Sequence, residues 1–413
     1  MATVIIGLGL IKVIAEIGPV EYGKYALVLS IVPLVNLSIY NPLDQFSQRF
    51  FYTFHNKNES EVFLFVLFNL IKKTAFVLSV IAILSALITG FIASIDWLIF
   101  TLIASLYIII VLNGIPLISI LNTVRLRNLV AKLNVGEKFF QLTSLFIVSK
   151  LFKINAILVL GTISIVGIFF LVLKWKFIRK NIFKIDTIKI PSNDKKYIYK
   201  LLLPFSFPLL LFGVFQWLQT YGERWIIQIT LTLKDVGIYT FMGTIANTSL
   251  MIIISALSQF IGPILWEKFS DLNDFRKIDI GRRIIKYQVY LVAILTFIAS
   301  GILYFVGETI IKILGNLSFI RYSQLLPLIF LSIGIFNIGQ TLTSIGFGLD
   351  KMIKYSYAKI ISAILTIVFL LIGSRLFGLF GITIAGMSSG IIYLLFIIQT
   401  NRNILKEFYH PKI

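Results

Sequence analysis

The stretch EYGKYALVLSIVPLVNLSIYNPLDQF, residues 21–46, has a counterpart further along the same chain, DVGIYTFMGTIANTSLMIIISALSQF, residues 235–260. At an offset of 214 residues, Glu21 pairs with Asp235, Gly23 with Gly237 and Tyr25 with Tyr239. Leu43 pairs with Leu257, Gln45 with Gln259 and Phe46 with Phe260. Each Gly-x-Tyr precedes an apolar run that crosses in the same direction, with an even number of runs between them. The repeat is therefore parallel, and it predicts two six-helix halves related by an axis along a membrane normal. The glycines are read as permitting tight turns and the tyrosines as interfacial anchors.

Composition sets the class. The chain has 413 residues, 58% hydrophobic and only 14% charged, with no cysteine and two histidines. Its mean hydropathy is +0.94. A soluble domain is about a quarter charged. Here the apolar residues come in blocks of about 20, the length that crosses roughly 30 Å of hydrocarbon at about 1.5 Å per residue. The fold class is thus all-α integral membrane. Strict two-residue alternation is absent, which excludes an outer-membrane barrel. Disulfides and thiolate metal sites are excluded, no histidine pair has ligand spacing, and no phosphate-binding glycine loop occurs. No metal or cofactor is expected.

Spans are expected at about 2–17, 25–46, 74–93, 97–118, 137–152, 154–174, 201–220, 238–262, 284–305, 323–345, 357–373 and 380–399. The opening run carries Lys12 and Glu16 and no basic leader, and it reads as part of a spanning helix rather than a cleaved signal. By the repeat it is about a dozen residues shorter than its mate. The halves are residues 1–195, including a basic cytoplasmic linker at about 175–200, and 196–413.

With the N-terminus inside, 29 of the 38 Lys and Arg residues fall at cytoplasmic ends, against seven opposite. The positive-inside rule then puts both termini in the cytoplasm. Lys72, Lys73, Lys174, Arg282, Arg283, Lys286, Lys359 and Arg402 are all counted as cytoplasmic. This distribution accounts for the net charge of +20 without nucleic acid. Residues 174–200 read either as an amphipathic surface helix on anionic lipid or as a plain basic linker.

The apolar runs carry polar stripes at steps of three and four, which place them on single helix faces. The first is Asn41, Asp44, Gln45, Gln48, Arg49 and Tyr52. The seventh span carries Gln216, Gln219, Thr220 and Glu223, with Arg224 beside them. The eighth carries Asn247, Thr248, Ser255, Ser258 and Gln259, and the tenth Asn337, Gln340, Thr341 and Ser344. An ionisable group facing lipid costs about 2.5–3.5 kcal/mol, so these faces are expected to look inward. Together they predict one shared aqueous space between the two halves. The alternative is that the hydroxyls and amides only hold helices together, at about 0.6 kcal/mol each.

GPVEYGKYALVLSI (18–31), RFFYTF (49–54) and PFSFPLLLFGVFQWLQTYGERWIIQITLTLKDVGIYTFMGTIA (204–246) resemble polysaccharide-exporting flippases. The resemblance is to the O-antigen-type (Wzx-like) branch of the MATE-related (MOP) superfamily. It implies a MATE-like fold and transport of a lipid-linked oligosaccharide across the bacterial inner membrane, with two bundles rocking about a central cavity. It also implies membrane lipids and other surface-glycan assembly proteins as partners.

On that reading, Arg49 and Arg224 are the candidate pyrophosphate contacts, because a guanidinium binds phosphate oxygens through two bonds. The amides Asn41, Gln45, Gln48, Gln216, Gln219, Gln259, Asn337 and Gln340, with Glu223, are candidate sugar contacts, and Tyr52, Trp217 and Tyr221 candidate stacking surfaces. Asp44, Glu16 and Glu223 are the buried-acid candidates for Na+ or H+ coupling. Competing readings stay open for several. Arg49 reads equally as a helix-end marker, Glu223 and Arg224 as an internal pair, and Asp44 as a partner of Arg49 or Lys73. Two other functions remain: a MATE-type drug exporter, disfavoured by the excess of cations over acids, and a membrane glycan polymerase or glycosyltransferase, disfavoured by the lack of a large acidic or histidine-bearing loop. The expectation is therefore a transporter and no enzyme.

Overall fold

The computed structural model describes residues 2–55, 59–92, 95–124, 126–181, 192–269, 274–349 and 351–409, and they are almost entirely helical. The helices are α1 (Ala2–Ala15), α2 (Gly18–Val35), α3 (Asn41–His55), α4 (Ser60–Ile92), α5 (Ile95–Thr123), α6 (Arg127–Leu151) and α7 (Ala156–Asn181). They continue as α8 (Ser192–Thr230), α9 (Leu233–Lys268), α10 (Phe275–Leu314), α11 (Leu317–Ile320), α12 (Leu325–Leu342), α13 (Ser344–Gly348) and α14 (Tyr355–Tyr409). Among the described residues, nine helices are long and apolar enough to cross a membrane. Each of the twelve expected spans falls on a helix. The first lies on the 14-residue α1 and the fifth on the charged α6. The last two are the arms of α14, which reverses at Gly378 with φ of +57°. There Gly373 and Gly381 face each other so closely that a Cβ on either would strike the other's carbonyl.

Local chemistry sets the helix starts. Gly18, at φ of +79°, turns the chain out of α1, and Pro19 opens α2. Thr232 and Asp235 form a reciprocal cap on α9: Asp235 N–H donates to Thr232 Oγ1 and Thr232 N–H to Asp235 Oδ2, both at 3.2 Å. Asp274 caps α10 by accepting from Lys277 N–H at 3.2 Å, and that bond lowers its carboxyl pKa. Between α2 and α3, after Pro33, residues Asn36–Tyr40 form a π turn. The extra residue per turn rotates α3, and so its polar stripe, relative to α2.

Several expected helix ends lie further out. The third span was to begin at 74, beyond Lys72 and Lys73, yet α4 begins at Ser60 and runs through both lysines. The Lys72 ammonium sits 4.7 Å from the Phe68 ring centre and 5.3 Å from Trp175, so the helix carries the charge on aromatic faces instead of breaking. Lys174 is buried against Glu137 of α6 at 2.6 Å rather than opening a solvated linker. The expected linker at 175–200 is helical at both ends, with α7 running to Asn181 and α8 starting at Ser192, and its residues 182–191 lie outside the described residues.

The chain forms two compact units. The first comprises Met1–Ile17 and Leu27–Val214, the second Gly18–Ala26 and Phe215–Ile413. In the first, α5 packs against α4 and α7, and α6 against α1 and α7. In the second, α12 is central, packed against α9, α10 and α14.

The repeat glycines meet inside the second unit. A Cβ on Gly23 would enter the Leu233 carbonyl, and one on Gly237 the Pro19 carbonyl. Pro19 and Leu233 are themselves related by the 214-residue offset, so the contact is reciprocal, as a two-fold axis requires. These glycines are not in tight turns with special backbone angles. They are helical and allow two backbones to touch. Tyr25 and Tyr239, read as interfacial anchors, are buried instead. Tyr22 completes the crossing against Phe241 and Phe319, at 5.7 and 6.1 Å between ring centres.

Gly23→Ala and Gly237→Ala are each expected to cost on the order of 1–3 kcal/mol by overpacking. Gly301→Ala, whose added Cβ meets nothing within 4 Å, is expected to stay within about 0.5 kcal/mol of the parent. Thermal unfolding of the purified protein in detergent measures both.

Candidate functional site

In the second unit, α8 carries Gln216, Gln219, Thr220, Glu223 and Arg224 at steps that keep them on one face. They line a half-open cavity of about 230 Å³. α9 adds Tyr239, Thr240, Thr244 and Asn247, α12 adds Ser332, Phe336, Asn337 and Gln340, and the two arms of α14 add Thr366 and Ser389. Seven of the candidate residues therefore share one space: Gln216, Gln219, Tyr221, Glu223, Arg224, Asn337 and Gln340.

Hydrogen bonds tie the walls together. Gln340 Nε2 donates to Gln216 Oε1 at 3.1 Å, and Gln219 Nε2 to Ser362 Oγ at 2.7 Å. The acid and the arginine each hydrogen-bond to another helix. Glu223 accepts from Tyr239 O–H at 3.0 Å, while Arg224 Nη1 donates to the Ala26 carbonyl at 3.1 Å. The guanidinium lies 5.0 Å from the Tyr221 ring centre. Gln219 Oε1 and Arg224 Nε are buried without a hydrogen-bond partner among the described residues. The cavity is thus lined by amides, hydroxyls, one acid, one arginine and the Tyr221 ring. Such a lining replaces water around hydroxyls and phosphate oxygens.

The other candidates lie elsewhere. Among the described side chains of the α9 stripe only Asn247 lines the cavity, while Ser255 and Ser258 are exposed further along. The side chains of Gln259 and Tyr52 fall outside the described residues. Trp217 is not among the lining residues. In the first unit, the α3 stripe is bonded along its own helix. Gln45 Nε2 donates to Asn41 Oδ1 at 3.3 Å, and Gln48 Nε2 to Asp44 Oδ2 at 3.0 Å. Asp44 also accepts from Ser119 Oγ of α5, so its recorded partners are hydroxyl and amide rather than Arg49 or Lys73. Arg49 is exposed, its guanidinium 5.6 Å from the Phe205 ring centre and 6.0 Å from Phe50. Glu16 is exposed just beyond the end of α1, so it is not a buried acid: outside the helix its carboxylate can be hydrated.

Two polar features escape the stripe pattern. One is the Glu137–Lys174 pair. The other is Lys359, counted above as a cytoplasmic end marker but fully buried in α14. Its ammonium lies 4.5 Å from the Phe336 ring centre and 4.6 Å from Tyr393. Phe336 also lines the cavity, so the Lys359 amine stands behind its wall. A lysine one turn into a helix gives no sequence signal of burial; only the facing rings do.

No protein-family model and no curated protein matches the chain. Solved structures do match over nearly its whole length. A multidrug resistance MATE family transporter of the MOP superfamily, in an inward-facing conformation, superposes at a TM-score of 0.73 with 12% identity, covering 98% of this chain and 96% of that one. The lipid II flippase MurJ gives 0.66 and 14%, covering 99% and 90%. The Vibrio cholerae MATE transporter VcmN, in its bent form, gives 0.56 and 13%, covering 97% and 98%. The chain therefore shares the fold of these structures, an all-α multi-pass membrane architecture.

Tyr239→Phe and Glu223→Gln are expected to be non-additive in thermal unfolding, with a coupling of about 0.5–3 kcal/mol. Additive losses would show that the Tyr239–Glu223 bond contributes nothing.

Proposed function

We propose that the chain is a flippase carrying a polyprenyl-pyrophosphate-linked oligosaccharide, such as an O-antigen or capsule repeat unit, across the bacterial cytoplasmic membrane. It works by alternating access of its halves, residues 1–195 and 196–413, with both termini cytoplasmic. One observation carries this reading: amides from α8 and α12 converge with a half-satisfied arginine and a tyrosine face on one cavity. The oily tail of such a substrate stays in lipid, while its sugars and pyrophosphate need donors and acceptors in place of water. Drug-sized pockets run about 300–1,000 Å³, so this smaller cavity grips one part of the substrate, a sugar or the pyrophosphate. The likeness to MATE and MurJ folds is compatible with this reading.

Asp44 and Glu223 are the acids proposed for Na+ or H+ coupling, and other surface-glycan assembly proteins are the proposed partners. A second reading, ion-coupled export of a cationic small molecule, is favoured by one observation: the Glu223 carboxylate lies in the same cavity.

In proteoliposomes, flipping of the lipid-linked oligosaccharide without covalent change is expected. Arg224→Ala and Arg49→Ala should each reduce it about tenfold or more, the scale of a lost charge-assisted contact, and Arg49→Lys should be partly defective. Parent rates in both alanine variants, with normal insertion and unfolding temperature, would refute the anion contacts. Efflux of a cationic dye dependent on Glu223, without lipid flipping, would favour the second reading.

A further inference from the structure

A second cavity in the same unit shares no lining residue with the first. It measures about 540 Å³ and lies between the first turns of α10, the end of α12 with α13, and the last turns of α14. Its charged lining is Asp279, Arg282, Arg283, Lys286 and Arg402; its apolar walls include Leu342, Ile345, Ile398 and Leu405.

The single acid is committed. Arg282 Nη1 donates to Asp279 Oδ1 at 3.0 Å and to Tyr409 Oη at 3.2 Å, and Tyr409 O–H donates to the same Asp279 oxygen at 2.7 Å. Asp279 thus neutralises and orients Arg282. Arg283, Lys286 and Arg402 enter no ion pair among the described residues and are exposed, leaving three positive charges around the opening. The floor is rigid: Asn401 accepts from Tyr355 O–H and donates to the Leu342 carbonyl at 3.0 Å. Behind it Ile278, Ile285, Tyr355, Ile397 and Ile404 form one buried cluster.

We infer that this cavity binds the phosphate headgroup of an anionic membrane phospholipid, with the acyl chains along its apolar wall. The requirement is for anionic charge and hydrocarbon together. A soluble phosphate uses only the first, and a zwitterionic lipid cancels it. Basic pockets between membrane helices recognise lipid headgroups this way. The cationic lining belongs to the side that positive-inside counting makes cytoplasmic. The site does not depend on what the protein transports.

The test uses the full-length protein in phosphatidylcholine nanodiscs doped with phosphatidylglycerol, with co-purified lipid quantified by mass spectrometry. Phosphatidylglycerol is expected to be enriched on the order of tenfold over its bulk fraction, and the triple variant Arg283→Gln/Lys286→Gln/Arg402→Gln should bring enrichment near unity. Lys73→Gln/Lys132→Gln/Lys138→Gln removes the same charge on the same expected side, from the first unit, and should leave enrichment unchanged. Equal loss in both variants would overturn the site in favour of general surface attraction, as would retained enrichment in the first. Two competition arms identify the source. Displacement by millimolar inorganic pyrophosphate would overturn the lipid assignment. Displacement by equimolar polyprenyl pyrophosphate, with phosphatidylglycerol a weaker ligand, would overturn the choice of phospholipid. Resistance to both supports it.

Discussion

Where α2 and α9 cross in the second unit, Gly23 and Gly237 let the backbones touch. Lipid tails are as apolar as leucine, so apolar burial alone gives membrane helices little reason to associate. Close backbone approach supplies the dispersion that does. The contact is reciprocal because Pro19 and Leu233 occupy equivalent repeat positions. Around it sit Tyr22, Phe241 and Phe319, and two residues past Gly237 Tyr239 reaches Glu223. Arg224 is anchored on Ala26, three residues past Gly23. The same crossing therefore fixes both charged groups of the cavity.

That arrangement explains why an acid and an arginine adjacent in sequence need not neutralise each other. Neighbouring residues on a helix point about 100° apart. Glu223 turns to the α9 tyrosine and Arg224 to an α2 carbonyl, so each keeps capacity toward the cavity. Burying the charges would be costly without partners. Here the partners are a phenol and a carbonyl, polar but uncharged.

Charge elsewhere in the chain is handled in three ways. Lys174 pairs with Glu137, Lys359 lies beside the stacked rings of Phe336 and Tyr393, and Lys72 covers two others. Lys72 and Lys174 thereby sit within helices that hydropathy alone would end there. Arg283, Lys286 and Arg402 are different: they remain exposed around an opening with apolar walls, the arrangement that suits an amphiphile of opposite sign.

The sequence by itself determined the membrane class, the helical segments and the faces of α8 and α12 that carry amides, because hydropathy and a three-to-four spacing are properties of one helix. It also carried the repeat, through Gly23, Gly237 and their neighbours. What those glycines do, touching backbones rather than turning the chain, was decided only by the tertiary structure. So were the partners of Asp44, Glu223 and Arg224, the burial of Lys359, and which part of the α9 stripe reaches the cavity. The physical reason is common to all: a helix fixes where its side chains point, but the partner of a polar group depends on which second helix crosses there, and at what height.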